Sequence, residues 1–342
     1  MDAITAFFTD LAGSIAGPKS RLWPVYLLIT VGLCYIVYRR RRISTPFLAW
    51  LFPKSVYSHP SNRVDVKVFA FNTLLGALGL FNLVFLSATI AGSMVGKIPS
   101  PLALSPFNPV VIGALLLIIT DFSTYWVHRL HHQIHLLWPF HALHHSAEVM
   151  TPLTVYRKHP IYDVISDLAT GLLVGVLQGV FLVLFDQMPG YLTLVGVNLG
   201  YVLFHFAGSN IRHSHVWLSF GPRLEHIFIS PAQHQIHHSL DPRHHNQNYG
   251  EVLAIWDWMF GTLYVTHEEE ALEFGLADEE GNRLRQPHDS LRAALVVPLR
   301  DALTQWRRLR TRRRATPRQT APQVTPQTTP DTPDPSTPPR TN

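Results

Sequence analysis

The sequence predicts an all-α integral membrane protein, a helical bundle of four to five spans with a cytoplasmic histidine-rich di-metal cap. Three observations predict this fold class. Charged residues make up only 15% of the 342 residues, and hydrophobic residues make up 47%. Five apolar runs approach the length that a bilayer requires. Finally, 17 of the 20 histidines lie between His128 and His245, which concentrates metal-binding side chains in one stretch of chain.

The five apolar runs are the candidate spans, and each is roughly the 17 to 25 residues expected of a membrane helix. The last two are joined by a short polar turn at 186–190, so they predict a helical hairpin. If that hairpin enters the bilayer without crossing it twice, the number of spans is four. The five runs cover residues 22–38, 68–95, 110–127, 168–185 and 191–206.

The distribution of Lys and Arg predicts the orientation, because positive residues are retained in the cytoplasm. With five spans, the connections on one side carry 7, 3 and 15 basic residues, and those on the other carry 2, 1 and 0. The N-terminus is therefore predicted outside and the C-terminus inside. Every histidine cluster then falls on the cytoplasmic side.

The chain divides into four predicted parts. Residues 1–109 form N-terminal membrane helices and loops, and 110–265 form the catalytic region. Residues 266–315 form an amphipathic, basic segment, and 316–342 form a disordered Pro/Thr-rich tail. The net charge of +5 arises mostly from the arginines after residue 303, and no recognition motif accompanies them, so nucleic-acid binding is excluded. The single cysteine, Cys34, excludes an intramolecular disulfide and a thiolate metal cluster.

Three histidine motifs carry the chemistry. On a helix, residues three and four apart share a face, so each motif can direct its imidazoles at one point. Converging neutral imidazoles suit Fe, Zn, Cu or Ni, and two metal ions need about eight such ligands. The three motifs supply that number, and these residues are predicted as both metal ligands and catalytic residues: His128, His132, His141, His144, His145, His234, His237 and His238.

Further candidates surround these motifs. His213 is predicted as a ninth metal ligand, whereas His159, His205, His215 and His244 are alternatives that could ligate a metal or orient a ligand. Asp121 lies two helical turns before His128 on the same face. It could accept a hydrogen bond from a ligand imidazole or serve only in helix packing. Asn248–Gly250 and Trp256–Asp257 are interpreted as a turn and a buried aromatic segment with an architectural role.

The motifs and their surroundings resemble the fatty acid hydroxylase / sterol desaturase superfamily. The resemblance covers roughly residues 110–264, less than half of the chain. It rests on the order and spacing of the histidine motifs and on the residues around them. The matching segments are residues 121–132, 140–146, 230–238, 248–250 and 256–263.

The resemblance implies an integral-membrane, non-haem oxygenase that uses O2 and two electrons to hydroxylate or desaturate a lipid. Its cofactors are two iron ions, for which zinc could substitute, and O2 is the co-substrate. The eight-histidine pattern of the family transfers onto the eight residues named above, and a further family histidine matches His213. The implied partners are the bilayer, a lipid substrate and a separate electron donor, which could be a cytochrome b5-like protein, a ferredoxin or a reductase.

The chemistry of the residues fits this implication. Side-chain acid/base groups cannot break unactivated C–H bonds, so a redox metal is required. We further expect membrane helices to form an apolar cleft that delivers an acyl chain or ring system to the metal. Sterol, fatty acyl, sphingoid, alkylglycerol and carotenoid substrates all agree with such a cleft.

Three rival functions remain. The main alternative is a membrane metal-binding or metal-transport protein with a histidine-rich cytoplasmic loop, which would need polar residues through several spans. A bis-histidine haem protein would need ligands at matched depths on paired helices. A structural zinc scaffold would bind metal without turnover.

Overall fold

A computed structural model describes residues 3–18, 20–78, 86–95, 97–98, 108–184, 204, 206, 208–278 and 280–315. Within these ranges the regular structure is helical, and extended segments pair only through isolated bridges. The helices are α1 (Ala3–Ala16), α2 (Pro24–Arg40), α3 (Phe47–Leu51), α4 (Lys54–Tyr57), α5 (Pro60–Ala77), α6 (Leu86–Met94), α7 (Pro109–Gln133), α8 (Trp138–His145), α9 (Pro160–Leu184), α10 (Pro231–His237), α11 (Ile255–Met259) and α12 (Leu291–Ala315).

Among the described residues, two helices are long and apolar enough to cross a membrane. They are Val110–Gln133 within α7 and Pro160–Leu184, which is α9, with mean hydropathies of 1.9 and 2.0 in their most apolar windows. Both were predicted from the runs 110–127 and 168–185. The predicted run starts later than α9, because residues 160–167 include Asp163, Ser166 and Asp167, whose low hydropathy excluded this first part of the helix.

The other predicted runs are only partly described. The run 22–38 forms α2, which has 17 residues, and α5 and α6 hold the two ends of the run 68–95. Residues 79–85 between them lie outside the described residues, as do the run 191–206 apart from 204 and 206, and the predicted tail 316–342. The number of spans and the cytoplasmic side of the cap therefore stay predictions.

A stripe of glycines packs α9 closely against α6. A Cβ atom added at Gly175 would lie 2.8 Å from Cβ of Ile90, and one added at Gly179 would lie 2.5 Å from Sδ of Met94. Gly171 continues the stripe at the same four-residue spacing, so these glycines share one helix face. Small residues at this spacing let two helix backbones approach, which is a common way of packing membrane helices.

Local sequence signals fix the helices that carry histidines. Asn108 accepts a hydrogen bond from the Val110 amide at 2.8 Å at the start of α7, and Pro109 occupies the first turn. At the start of α10, Ser230 and Gln233 form a reciprocal capping box. These caps set where each helix begins and thereby which way its histidines point.

Candidate metal centre

Nine histidine side chains come together in two adjoining groups. Within each group, one ligand atom from every member lies within 4.8 Å of those of the others. The two groups touch, since the rings of His145 and His238 stack with centroids 4.3 Å apart. Group 1 consists of His128, His132, His141, His145 and His237, and group 2 consists of His144, His213, His234 and His238.

The helical period explains how three short motifs build two groups. His128 and His132 lie one turn apart on α7 and both belong to group 1. The helix α8 directs its i and i+4 histidines to group 1 and its i+3 histidine to group 2. The motif that starts on α10 does the reverse: His234 and His238 enter group 2, and His237 enters group 1. His213 completes group 2 from the segment that precedes α10.

Backbone carbonyls orient three of the imidazoles. In each, Nδ1 lies within hydrogen-bond distance of a carbonyl oxygen, which only accepts, so Nδ1 carries the proton and Nε2 keeps its lone pair. Such outer contacts fix the tautomer of metal-ligating histidines in known sites. The pairs are His128 with Tyr249 at 2.8 Å, His237 with Gln247 at 2.7 Å, and His144 with Thr154 at 3.1 Å.

The nitrogen atoms that face the centre of each group are better placed to bind a metal ion than to hydrogen-bond one another. The Nε2 atoms of His128 and His141 lie 3.1 Å apart, as do those of His141 and His145. The Nε2 atoms of His132, His237 and His238 are buried and have no hydrogen-bond partner among the described residues. Buried nitrogens without partners are costly unless a cation accepts their lone pairs. The donor set therefore fits two metal ions that favour imidazole.

Burial also keeps these rings in the form that binds metal. Burial and, to a smaller extent, the neighbouring His128 lower the pKa of His237 to about 3. Burial and the adjacent imidazoles hold the pKa values of His145 and His238 well below the usual range. At pH 7 these imidazoles are neutral and offer a lone pair.

Asp257, on α11, supports the carbonyl that orients His128. Its carboxylate accepts hydrogen bonds from the backbone amides of Tyr249 and Gly250, both at 2.8 Å, and from the hydroxyl of Thr262 at 2.6 Å. Sequence reasoning assigned these residues a purely architectural role. The structure gives them a more specific one, since they hold the turn whose carbonyl faces group 1.

The carboxylate of Asp121 does not bond an imidazole, and the packing interpretation of this residue is the correct one. It accepts hydrogen bonds from the amides of Val252 and Leu253, both at 3.0 Å, and from the indole of Trp256 at 2.9 Å. Asp121 thus ties α7 to the segment before α11.

The three alternative histidine candidates that the structure describes lie outside the two groups. Nε2 of His159 lies 3.0 Å from the Leu295 carbonyl, and Nε2 of His215 lies 2.9 Å from the Trp50 carbonyl. His244 is buried 3.0 Å from a carboxylate oxygen of Glu270. His205 lies outside the described residues.

A cavity of about 270 Å³ opens onto both groups between α7 and α9. It reaches His128 and His141 of group 1 and His144, His213 and His234 of group 2. The prediction of an apolar cleft is wrong for this cavity, because six of its lining side chains are charged in addition to the histidines. They are Arg21, Lys158, Asp163, Asp167, Arg212 and Glu251.

The histidine groups fall within a region that matches known proteins. Residues 113–262 match the family model described as Fatty acid hydroxylase. Over this region the chain is similar to the fatty acid hydroxylase / sterol desaturase superfamily. All nine grouped histidines lie in the matched region.

Curated relatives from this superfamily are similar over part of their length. An ornithine lipid hydroxylase of Rhizobium tropici is 33% identical over 49% of this chain and 45% of its own. The human alkylglycerol monooxygenase is 31% identical over 46% of this chain and 31% of its own length. A Delta(7)-sterol-C5(6)-desaturase of Nicotiana tabacum is 29% identical over 47% of this chain and 53% of its own length. The chain therefore spans about half or less of these relatives. No solved structure matches it.

Proposed function

We propose that this protein is a membrane-bound, non-haem di-iron oxygenase that hydroxylates or desaturates a lipid. The single observation that carries the proposal is the pair of adjoining imidazole groups, in which three inward Nε2 atoms are buried without partners among the described residues and the others face one another. The relatives support it, since their names are those of lipid hydroxylases, a monooxygenase and a sterol desaturase.

In this proposal each histidine group holds one metal ion. Imidazole ligands suit iron and also accept zinc, which would fill the site without supporting redox chemistry. When bound, two iron ions supply the activation of O2 and the oxidation of a C–H bond that side chains alone cannot achieve. Hydroxylation balances as R–H, O2, two electrons and two protons giving R–OH and water.

The side chains of the chain itself have three tasks. The nine histidines bind the metal, and three backbone carbonyls orient His128, His144 and His237. Asp257 holds the turn that carries one of those carbonyls. The cavity between α7 and α9 admits the part of the substrate that is oxidised, and the burial of the rings limits the access of water.

The setting of the reaction is also part of the proposal. The helices α7 and α9 are apolar enough to lie in a bilayer, from which a lipid could enter the cavity. The bias of Lys and Arg favours a cytoplasmic metal site. The two electrons come from a separate donor, such as a cytochrome b5-like protein, a ferredoxin or a reductase. Residues 110–265 are proposed as the catalytic region.

The test measures metal and product separately. The purified protein is expected to hold about two iron ions per chain, which is the number that two imidazole groups can bind. Expression in cells is expected to yield a lipid that has gained one oxygen atom or lost two hydrogen atoms. His144→Ala should lose iron and product while the protein still inserts into membranes.

His215→Ala is the matched control, because this histidine is near the centre in sequence and bonds only the Trp50 carbonyl through Nε2. It should retain iron and product. Zinc without any lipid product in the wild-type protein would contradict the oxygenase and favour a zinc scaffold or a metal transporter. Full retention of iron by His144→Ala would contradict the ligand assignment.

A further inference from the structure

The cavity that opens onto both histidine groups is unusual for a site that accepts an acyl chain. Two of its walls are the membrane-compatible helices α7 and α9, yet charged side chains line it. Ionisable residues on such helices are costly and mark functional sites by default. The charges in this cavity therefore require a partner or a function.

Three of the six charged side chains contact one another and keep one net positive charge. Glu251 lies 3.2 Å from a guanidinium nitrogen of Arg21 and 3.5 Å from one of Arg212, so a single carboxylate is shared by two arginines. Arg21 also donates a hydrogen bond to the hydroxyl of Ser209. These side chains form one end of the cavity and have their polar contacts with one another and with Ser209.

The other three charged side chains are not paired in this way. Lys158, Asp163 and Asp167 make no ion pair within 4.0 Å in the part of the chain that the structure describes. Lys158 is only partly exposed, and its ammonium lies 5.6 Å from the centre of the Tyr162 ring. One cation and two carboxylates thus face the cavity with no counter-ion in contact.

These three charges interact with one another only beyond ion-pair distance, and they lie next to the metal-binding rings. The ring of Tyr162 stacks on His141, with centroids 4.9 Å apart and an interplanar angle of 19°. Asp163 and Asp167 are one helical turn apart on α9, so they share a face. Ser166 and Thr170 line the same cavity and continue this polar face along the helix.

The size of the cavity limits what part of a lipid it can take. Its volume of about 270 Å³ is just below the range of roughly 300–1,000 Å³ typical of small-molecule pockets. A polar headgroup fits such a volume, and two acyl chains do not. The chains would remain in the bilayer against the apolar outer surfaces of α7 and α9.

We propose that this cavity binds the headgroup of a zwitterionic lipid, with Lys158 facing its acidic group and Asp163 and Asp167 facing its ammonium group. The proposal rests on the proposed oxygenase function and deepens it by naming the substrate class. It places the headgroup, or the carbon atoms next to it, at the histidine groups. A sterol or an uncharged glyceride would leave the three charges without partners.

The experiment measures binding without turnover. Purified full-length protein in a non-ionic detergent is incubated with equal amounts of phosphatidylethanolamine, phosphatidylglycerol and diacylglycerol that carry the same oleoyl chains. The lipid retained after gel filtration is quantified by mass spectrometry. Charge-assisted hydrogen bonds contribute enough for about a tenfold preference for the zwitterionic lipid over diacylglycerol.

Variants locate the preference in the cavity. Lys158→Met and Asp163→Asn should each bring the retention ratio close to one, and Lys158→Arg should keep most of the preference. The matched controls are Lys54→Met and Asp289→Asn, which alter exposed charges elsewhere, and both should bind like the wild type. Iron content and O2 consumption with a reductant are measured on the same samples.

The outcomes separate this proposal from the one on which it rests. Equal retention of diacylglycerol and phosphatidylethanolamine by an iron-loaded protein that consumes O2 overturns the headgroup site alone. A preference for phosphatidylglycerol, or a zwitterionic preference that survives both cavity variants, overturns it as well. A preference that depends on Lys158 and Asp163 in a protein without iron supports the headgroup site and contradicts the oxygenase.

Discussion

The ion pair between Asp65 and Arg157 offers a strong test of how the histidine-bearing helix α8 is held. Both side chains are fully buried, and Arg157 Nη1 lies 2.9 Å from Asp65 Oδ1. The guanidinium also donates to the Leu143 carbonyl on α8 and to the His288 carbonyl before α12. Asp65→Asn removes the negative charge, keeps the shape of the side chain and leaves a buried guanidinium that cannot lose its proton.

The structure sets the size of the effect. Removing one partner of a buried ion pair costs about 3–5 kcal/mol of unfolding free energy. Arg157 keeps acceptors at Ser61, Ser146, Leu143 and His288, and these oxygens stabilise part of its charge. We therefore expect a loss near the lower limit, about 3 kcal/mol.

The same substitution should reach the metal groups. The Thr154 hydroxyl donates to Asp65 at 2.7 Å, and the carbonyl of Thr154 faces Nδ1 of His144. Weaker support of this turn should lower iron retention during dialysis against a chelator. A variant that unfolds more easily but retains iron as well as the wild type would show that the turn is held without Asp65.

Chemical unfolding of the detergent-solubilised protein, followed by tryptophan fluorescence, measures the difference. Glu269→Gln is the matched control, because its ion pair with Arg41 at 2.6 Å is exposed. Exposed pairs contribute about 0–1 kcal/mol. If Asp65→Asn costs no more than Glu269→Gln, the reasoning about the buried pair is refuted.

Three further predictions follow from the surroundings of the site. Asp257→Asn should weaken iron binding about 10- to 100-fold in a chelator competition, because it disturbs the turn whose carbonyl orients His128, and unchanged affinity would contradict this role. Gly250→Ala should cost about 1–3 kcal/mol of unfolding free energy, since its Cβ would lie 2.9 Å from an Asp257 oxygen, whereas Gly92→Ala, with open space on α6, should stabilise the protein slightly. His288 is neutral when folded because burial, Arg157 and His159 lower its pKa to about 3, so its contribution to stability is present above pH 6.5 and is lost as the pH falls toward 3. When the pH falls from 7.5 to 5.5, the unfolding free energy of the wild type should fall by about 1.4 kcal/mol more than that of His288→Gln. Equal losses would contradict this assignment.

The spacing was sufficient to predict which histidines of one motif share a helix face, and the family resemblance supplied His213. The spacing of His141, His144 and His145 on a helix fixes which rings share a face. It was not sufficient to predict what orients them. Any residue can supply a backbone carbonyl, so nothing in the identity of Gln247 or Thr154 indicated that they would face His237 and His144.

The partners of polar residues on the long helices were harder to predict from the sequence. From the sequence, Asp121 could bond either a ligand imidazole or a neighbouring packed segment. The path of residues 252–256 decided between these two partners. Asp163 and Asp167 were left out of the predicted span because hydropathy averages each residue with its neighbours. That average concealed a polar face on α9 and favoured an apolar cleft, whereas the cavity between α7 and α9 is lined by charged side chains.

The alternation of the histidine motifs joins the two groups into one unit. The helix α8 sends two rings to group 1 and one to group 2, and the motif of α10 sends one to group 1 and two to group 2. A shift of either helix therefore moves rings in both groups. On one helix, the i, i+3, i+4 spacing points the rings in two neighbouring directions, which favours two adjacent groups. Two metal ions bound in this way would share their supporting helices, and the fold that positions one would already have positioned the second.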